Sequence, residues 1–363
     1  MSIWRHEEYL PKIEARHRIT LGEANTPLLR SRRIGPALGL SHLYFKLENC
    51  NPTGSFKDRF AVVAASDMSA KGRRLCLATS SGNTGSALAA ACAVAGIRCY
   101  VAVVEGAPQS KLRNMQVYGA DIYTVRGFGR DAAVTANVMD RLRVLCEKRG
   151  AALQISAYRH SPIGMTGCET IAYELHDELE GRIDHVFTQA GGGGMTWAII
   201  RGFQRLLELG RAHGVPAVHC VQPEGNDTIA SPLRRREEKA REVVCTTKVS
   251  GLQVPNVIDG DQVISACRSS GGNGYPVSDE LVFETQRRLA REEGVFTEPA
   301  GATSVAGLVD AARRGEVHER DYIVCTVTGI GFKDEHSLAA MVRQASCPCL
   351  DESAALDAFL PTQ

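Results

Sequence analysis

A repeating order limits what this chain can fold into: a short apolar run, a loop of small residues, then a longer helical pattern. Leu75–Thr79 reads as a strand, SSGNTG follows, and Ser86–Ala95 reads as a helix. Arg98–Val104 is the next strand, Lys111–Tyr118 a helix, Asp121–Val125 a strand and Asp131–Lys148 a long helix. A second set runs from His185–Gln189 through four glycines into a helix over Met195–Leu209, then to strands at Pro216–Val221 and Tyr322–Val327. Alternation of this kind specifies mostly parallel sheets covered by helices on both faces. Two such units in one chain leave a cleft between them, and ligands of open α/β sheets sit at the carboxyl ends of strands. The stretch 231–277 is loop-rich and carries no clear pattern.

Composition narrows the function classes. The 363 residues carry 42 basic and 41 acidic side chains, a net charge of +1, so no nucleic-acid surface is expected. The mixed-sign run Arg234–Lys239 reads as a solvated face. The first residues, MSIWRHEEYLPKIEARHR, lack an apolar signal core, and no run of about 18 apolar residues is present to span a membrane. A cytoplasmic location is the expectation. The 12 cysteines form no CxxC pair and the 10 histidines no HExxH, so reduced thiols and no metal site are expected. Cys92 and Cys325 read as small buried apolar residues.

Four loops carry the chemistry: Asn51–Arg59 (NPTGSFKDR), Ser80–Gly85 (SSGNTG), Gly191–Gly194, and Thr328–Asp334 (TGIGFKD). Consecutive glycines let backbone N–H groups converge on one anion, and a following helix adds its positive end. The loop matches neither GxGxxG nor GxxxxGK[ST], so a flexible turn competes with a phosphate cradle here. Lys57 stands where a helix is about to begin, which lowers an amine pKa and leaves a nucleophile able to join an aldehyde. A simple ion pair with Asp58 is the competing reading. One cofactor, pyridoxal 5'-phosphate, needs both an amine and a phosphate cradle. Asn83 is suited to donate to its ring oxygen and Thr328 to face its ring nitrogen. Ser80, Ser81, Asn83 and Thr84 offer donors for a substrate carboxylate near a helix N-terminus.

These blocks, with Glu298–Ala302 (EPAGA) and KLRNMQVYGADIYTVRG, resemble fold type II pyridoxal-phosphate enzymes from about Thr26 to Asp334, and among them threonine synthase. The resemblance implies two doubly wound α/β domains, the smaller inserted in the larger, with the active site in the cleft. The larger would take residues 1–60 and 160–363, the smaller 61–159. It implies that Lys57 holds the cofactor as a Schiff base and then acts as base at Cα. Phe56 would pack beside the ring, Asn83 bond the ring oxygen, Gly191, Gly192, Gly193, Gly194 and Met195 hold the phosphate, and Thr328 face the ring nitrogen. A small amino-acid substrate and a homodimer are further implications.

One segment departs from that family. Where threonine synthases read close to NPYRLEGQKT, this chain has SPIGMTGCET, with Gly164 and Glu169 at the two basic positions. Substrate phosphate needs cationic partners, and Arg159 and His160 are the nearest replacements. The expected reaction is elimination and replacement on an amino acid, either from O-phosphohomoserine and water to threonine and phosphate, or at Cβ of serine, threonine, O-phosphoserine or O-acetylserine. A cofactor-binding regulatory protein without turnover is an alternative. A nucleotide-dependent oxidoreductase fits the rhythm but lacks GxGxxG.

Overall fold

The computed structural model describes residues 2–342 except 81, 108 and 130, together with 345 and 347. The strands are β1 Leu28–Arg30, β2 His42–Leu47, β3 Leu75–Thr79, β4 Arg98–Val103, β5 Asp121–Thr124, β6 Ala152–Gln154, β7 His185–Gln189, β8 Ala217–Pro223, β9 Gly274–Val277 and β10 Tyr322–Val327. The helices are α1 Ile34–Ala37, α2 Lys57–Ala70, α3 Asn83–Ala95, α4 Gln109–Val117, α5 Ala132–Arg149, α6 Pro162–Glu178, α7 Gly194–Glu208, α8 Ala230–Arg234, α9 Gly260–Ser269, α10 Asp279–Glu293, α11 Pro299–Arg313 and α12 Glu335–Val342.

Two sheets form. One has the order β1-β2-β10-β7-β8-β9, parallel except for β1 against β2. The other, β5-β4-β3-β6, is wholly parallel and its strands lie between residues 75 and 154 of the chain. Its strands are short apolar runs such as LCLAT, whose three central residues are buried. The stretch 231–277, unreadable from sequence, contributes α8, α9 and the edge strand β9.

Helix α2 packs against α3 and α6, and α6 against α7. It is buried almost all round, from Asp58 to Ser66, which explains its alanine- and valine-rich sequence. Close approach is secured by small residues: a Cβ at Gly167 of α6 would lie 2.0 Å from the Arg59 carbonyl oxygen of α2, and one at Gly202 of α7 2.6 Å from the Glu169 carbonyl of α6.

The first turn of α2 is anchored by buried charge. The Arg59 guanidinium donates to Glu48 Oε1 and to Glu174 Oε1, both at 2.7 Å, and Lys46 Nζ reaches Glu174 at 2.8 Å. Removing one member of such a set leaves an unpaired buried charge, typically at a cost of about 3–5 kcal/mol. Lys57 therefore rises from a turn held firmly at its base.

Cys76, Cys92 and Cys99 meet between β3, β4 and α3 with their sulfurs within 4.8 Å of one another, in the same core as Phe60, Leu88 and Val101. The cysteines among the described residues are unpaired, and Cys92 and Cys325 are buried as expected. In the mixed-sign run, Arg234 is drawn into a bidentate pair with Glu316, at 2.8 and 2.5 Å, while Arg235, Arg236, Glu237 and Glu238 stay exposed. No helix among the described residues is long and apolar enough to cross a membrane.

Candidate active site

The loop before α2 is zipped onto the loop after β10. Phe56 N–H donates to the Thr328 carbonyl at 3.2 Å, and Ile330 N–H to the Gly54 carbonyl at 2.9 Å. Gly54 has φ +78°, and a Cβ there would meet Ile330 at 2.6 Å, so this crossing requires glycine. Lys57 and Thr328, far apart in sequence, thus share one end of the six-stranded sheet.

Lys57 is half-buried. Its Nζ donates to Ser156 Oγ at 2.7 Å and lies 4.3 Å from the Phe56 ring centroid. Ser156 Oγ in turn lies 3.0 Å from Thr84 Oγ1. The Lys57 pKa is lowered to about 8, with burial as the largest cause. Asp58 does not pair with Lys57; its carboxylate accepts from Thr53 N–H at 2.7 Å and Thr53 Oγ1 at 2.5 Å. Ser55 does not cap the helix. Its hydroxyl is buried without a partner, and Phe56 occupies the N-cap.

Helix α3 begins at Asn83, not Ser86, so Asn83 and Thr84 stand on its first turn. Asn83 Nδ2 donates to Glu298 Oε1 at 2.6 Å, and Asn83 Oδ1 accepts from Lys333 Nζ at 3.0 Å. A carboxylate only accepts and an ammonium only donates, so the amide orientation is dictated. One Asn83 N–H is left over, as a donor to a cofactor ring oxygen requires. Ser80 Oγ accepts from Gly82 N–H at 3.1 Å and Gly85 N–H at 2.9 Å, which shapes the loop. Ser81 lies outside the described residues.

The four glycines follow β7, and α7 begins at Gly194, one residue before Met195. Gly193 adopts φ +90°, and a Cβ there would strike Val263 at 2.6 Å; one at Gly194 would meet Met165 at 3.0 Å. Gly193 therefore has no room for a side chain, and the first N–H groups of α7 lack partners within the helix. That is a cradle for an anion. Thr328 is buried, and its Oγ1 accepts from Gln189 Nε2, while Gln189 Oε1 accepts from Thr326 Oγ1 at 2.8 Å. The Thr328 hydroxyl keeps its own hydrogen to donate. Amine, ring-oxygen donor, anion cradle and neutral hydroxyl are the partners pyridoxal 5'-phosphate needs, and the residues fit it.

The departures from the family pattern are absorbed by packing. A Cβ at Gly164 would meet Phe60 at 2.7 Å. Glu169 is buried, accepting from Tyr158 Oη at 2.7 Å and Arg201 Nε at 3.0 Å. Arg159 is exposed and lines a cavity of about 710 Å³ with Trp197, Arg201 and Asp261; Lys57, Asn83, Thr328 and the glycines are not among its walls. His160 is half-buried, with its pKa lowered by burial and by Arg159.

Sequence reasoning passed over Ser156, Gln189, Glu298, Lys333 and Lys111. Glu298 and Lys333 stand inside recognised blocks, and Ser156 could have been sought just beyond the carboxyl end of a short strand.

The family described as "Pyridoxal-phosphate dependent enzyme" matches residues 19–329. A threonine synthase of Methanocaldococcus jannaschii is 34% identical over 340 residues, covering 92% of this chain and 81% of that protein. One from Halalkalibacterium halodurans is 33% identical over 365 residues, covering 98% of each. Among solved structures, the processed form of threonine deaminase isoform 2 from Solanum lycopersicum superposes with a TM-score of 0.74 at 20% identity, covering 95% of this chain and 94% of that one. Maize serine racemase gives 0.71 at 23%, covering 88% and 92%. The chain belongs to the pyridoxal-phosphate dependent enzymes, with the fold type II architecture. It is an enzyme whose cofactor is pyridoxal 5'-phosphate, and its sequence is threonine synthase-like.

Proposed function

We propose that the enzyme converts O-phosphohomoserine and water to threonine and inorganic phosphate. The observation that carries this reading is the chain from Lys57 Nζ through Ser156 Oγ to Thr84 Oγ1, at 2.7 and 3.0 Å. The threonine synthases that match nearly the whole chain supply the substrate.

Pyridoxal 5'-phosphate supplies, when bound, an aldehyde for the substrate amine and an electron sink that acidifies its Cα and Cβ hydrogens. Lys57, with a pKa near 8, holds the cofactor and then takes and returns the Cα proton. Ser156 and Thr84 extend its reach, offering hydroxyls to pass a proton toward Cβ and Cγ. The balance is one Cγ–O bond broken, one Cβ–H bond broken, a hydroxyl from water added at Cβ and a proton added at Cγ. Gly191, Gly192, Gly193, Gly194 and Met195 bind the cofactor phosphate, and Phe56 packs beside the ring. Thr328 faces the ring nitrogen with a hydroxyl, which does not hold a proton there as a carboxylate would. That moderates the sink and suits elimination and replacement. Ser80, Ser81, Asn83 and Thr84 serve the substrate carboxylate, and Arg159 and His160 are the nearest groups to receive the substrate phosphate.

Packing of Gly164 and Glu169 into α6 contacts favours a second reading, β-elimination or β-replacement on a serine-type substrate. A spectrum of the purified protein, titrated with O-phosphohomoserine, threonine, serine, O-phosphoserine and O-acetylserine, decides. A band shift with O-phosphohomoserine plus phosphate release supports threonine formation. A shift with serine-type substrates alone replaces it with β-chemistry, and cofactor binding without turnover of any of them indicates a regulatory protein. The division into residues 1–60 with 160–363 and 61–159 is supported by the four-stranded sheet lying within 75–154. The family resemblance supports a homodimer, which light scattering tests.

A further inference from the structure

A group of buried charges bridges the two sheet units above Asn83. Lys111 of α4, 3% exposed, sends its Nζ to within 3.4 Å of Glu298 Oε2 and 3.1 Å of Ser250 Oγ. Ser250 Oγ donates to Asp334 Oδ2 at 2.5 Å. Glu298, 1% exposed, stands at the N-cap of α11 without a capping bond and turns its other oxygen to Asn83. Lys333, 5% exposed, closes the circuit on Asn83 Oδ1.

Asn83 and Lys111 lie on helices that follow strands of the four-stranded sheet. Ser250, Glu298, Lys333 and Asp334 belong to chain that builds the six-stranded one. The Lys111 side chain crosses the substrate loop to make this contact: a Cβ at Gly82 would meet its Cδ at 3.0 Å. Glu298 Oε2 accepts no hydrogen bond and is held by the Lys111 charge. A long lysine and a carboxylate are this deeply buried only when each answers the other.

We propose that Glu298 and Lys111 are positioning residues that latch the two units together and, in doing so, set the Asn83 amide for the cofactor. Glu298 selects which end of the amide faces it, and Lys111 holds Glu298 in place from the opposite unit. The donor geometry at Asn83 then forms only when the units are together. This rests on the assignment of Asn83 to the cofactor ring oxygen. The latch also biases the binding-competent state, so its loss reduces apparent substrate affinity by the lost fraction of that state.

The test compares holoenzymes carrying Glu298→Gln, Lys111→Met, Lys111→Arg and Asn83→Ala. Each is read by the position and pH titration of the visible cofactor band and by KM against kcat. Ser250→Ala serves as a milder variant that keeps both charges. Lys111→Met is expected to raise KM about tenfold or more, with kcat changed less, and Lys111→Arg to recover most of it. Glu298→Gln is expected to move the band titration in the direction that Asn83→Ala moves it, and Ser250→Ala to raise KM by a smaller factor. Parent-like KM and band in Lys111→Met and Glu298→Gln, with Asn83→Ala shifted, would overturn the latch. A parent-like band in Asn83→Ala would overturn the cofactor assignment beneath it. Should Lys111→Met fail to fold, a parent-like KM in Ser250→Ala together with a parent-like band in Glu298→Gln overturns the latch by itself.

Discussion

Lys57 Nζ lies 2.7 Å from Ser156 Oγ across a separation of 99 residues. The lysine rises from the start of α2 and the serine from the loop after β6. Substitution separates their roles. Lys57→Ala should remove turnover, by a factor of at least about 10² to 10⁴, and with it the visible band. Ser156→Ala should keep the band and slow turnover about tenfold to a hundredfold, the worth of a hydrogen bond to a charged group. Normal activity in Lys57→Ala would remove the mechanism.

The lowered Lys57 pKa has two pH signatures. Cofactor capture by the cofactor-free protein needs the neutral amine, so its rate should rise about tenfold per pH unit below 8 and level off above it. The unfolded chain holds this proton up to its ordinary value of 10.5, the folded chain only to about 8. Between these values the unfolded state binds more protons, so the Lys57 contribution to stability rises with pH across that window. Denaturation of the cofactor-free parent and of Lys57→Met at pH 7.5 and 10 would show it as a slope missing from the variant.

Thr328→Ala should retain the cofactor and react more slowly, since a hydroxyl facing the ring nitrogen is lost while the phosphate cradle stays. The accompanying loss is structural: Gln189 Nε2 gives up its acceptor, at a cost of about 1–3 kcal/mol. Kinetics indistinguishable from the parent would refute the ring-nitrogen assignment.

Gly167→Ala tests the packing under the site. Its Cβ would sit 2.0 Å from the Arg59 carbonyl, which is backbone and cannot swing aside. The helices α2 and α6 must part, costing about 1–3 kcal/mol or more. Thermal melting should show a lower Tm with the cofactor band weakened, because α2 carries Lys57.

Much of the fold is legible because strand and helix periods differ. LCLAT and YIVCTV read as strands and are strands, and the rhythm between them anticipates both mostly parallel sheets. Stretch 231–277 is not legible, since its short elements α8, α9 and β9 owe their form to neighbours rather than to local pattern. Helix starts slipped by one to three residues at Asn83 and Gly194, where small or polar residues hide the first turn.

The loops by themselves determined the cofactor: an amine, a neutral amide and a glycine run in that order serve one small molecule. Tertiary structure decided what each side chain faces. Glu169 looked like a lost active-site cation and packs against Tyr158, and Ser156, unremarkable in sequence, meets Lys57. Backbone preference is local and readable residue by residue. A hydrogen bond between positions 57 and 156 exists only once the tertiary fold has fixed where both ends lie.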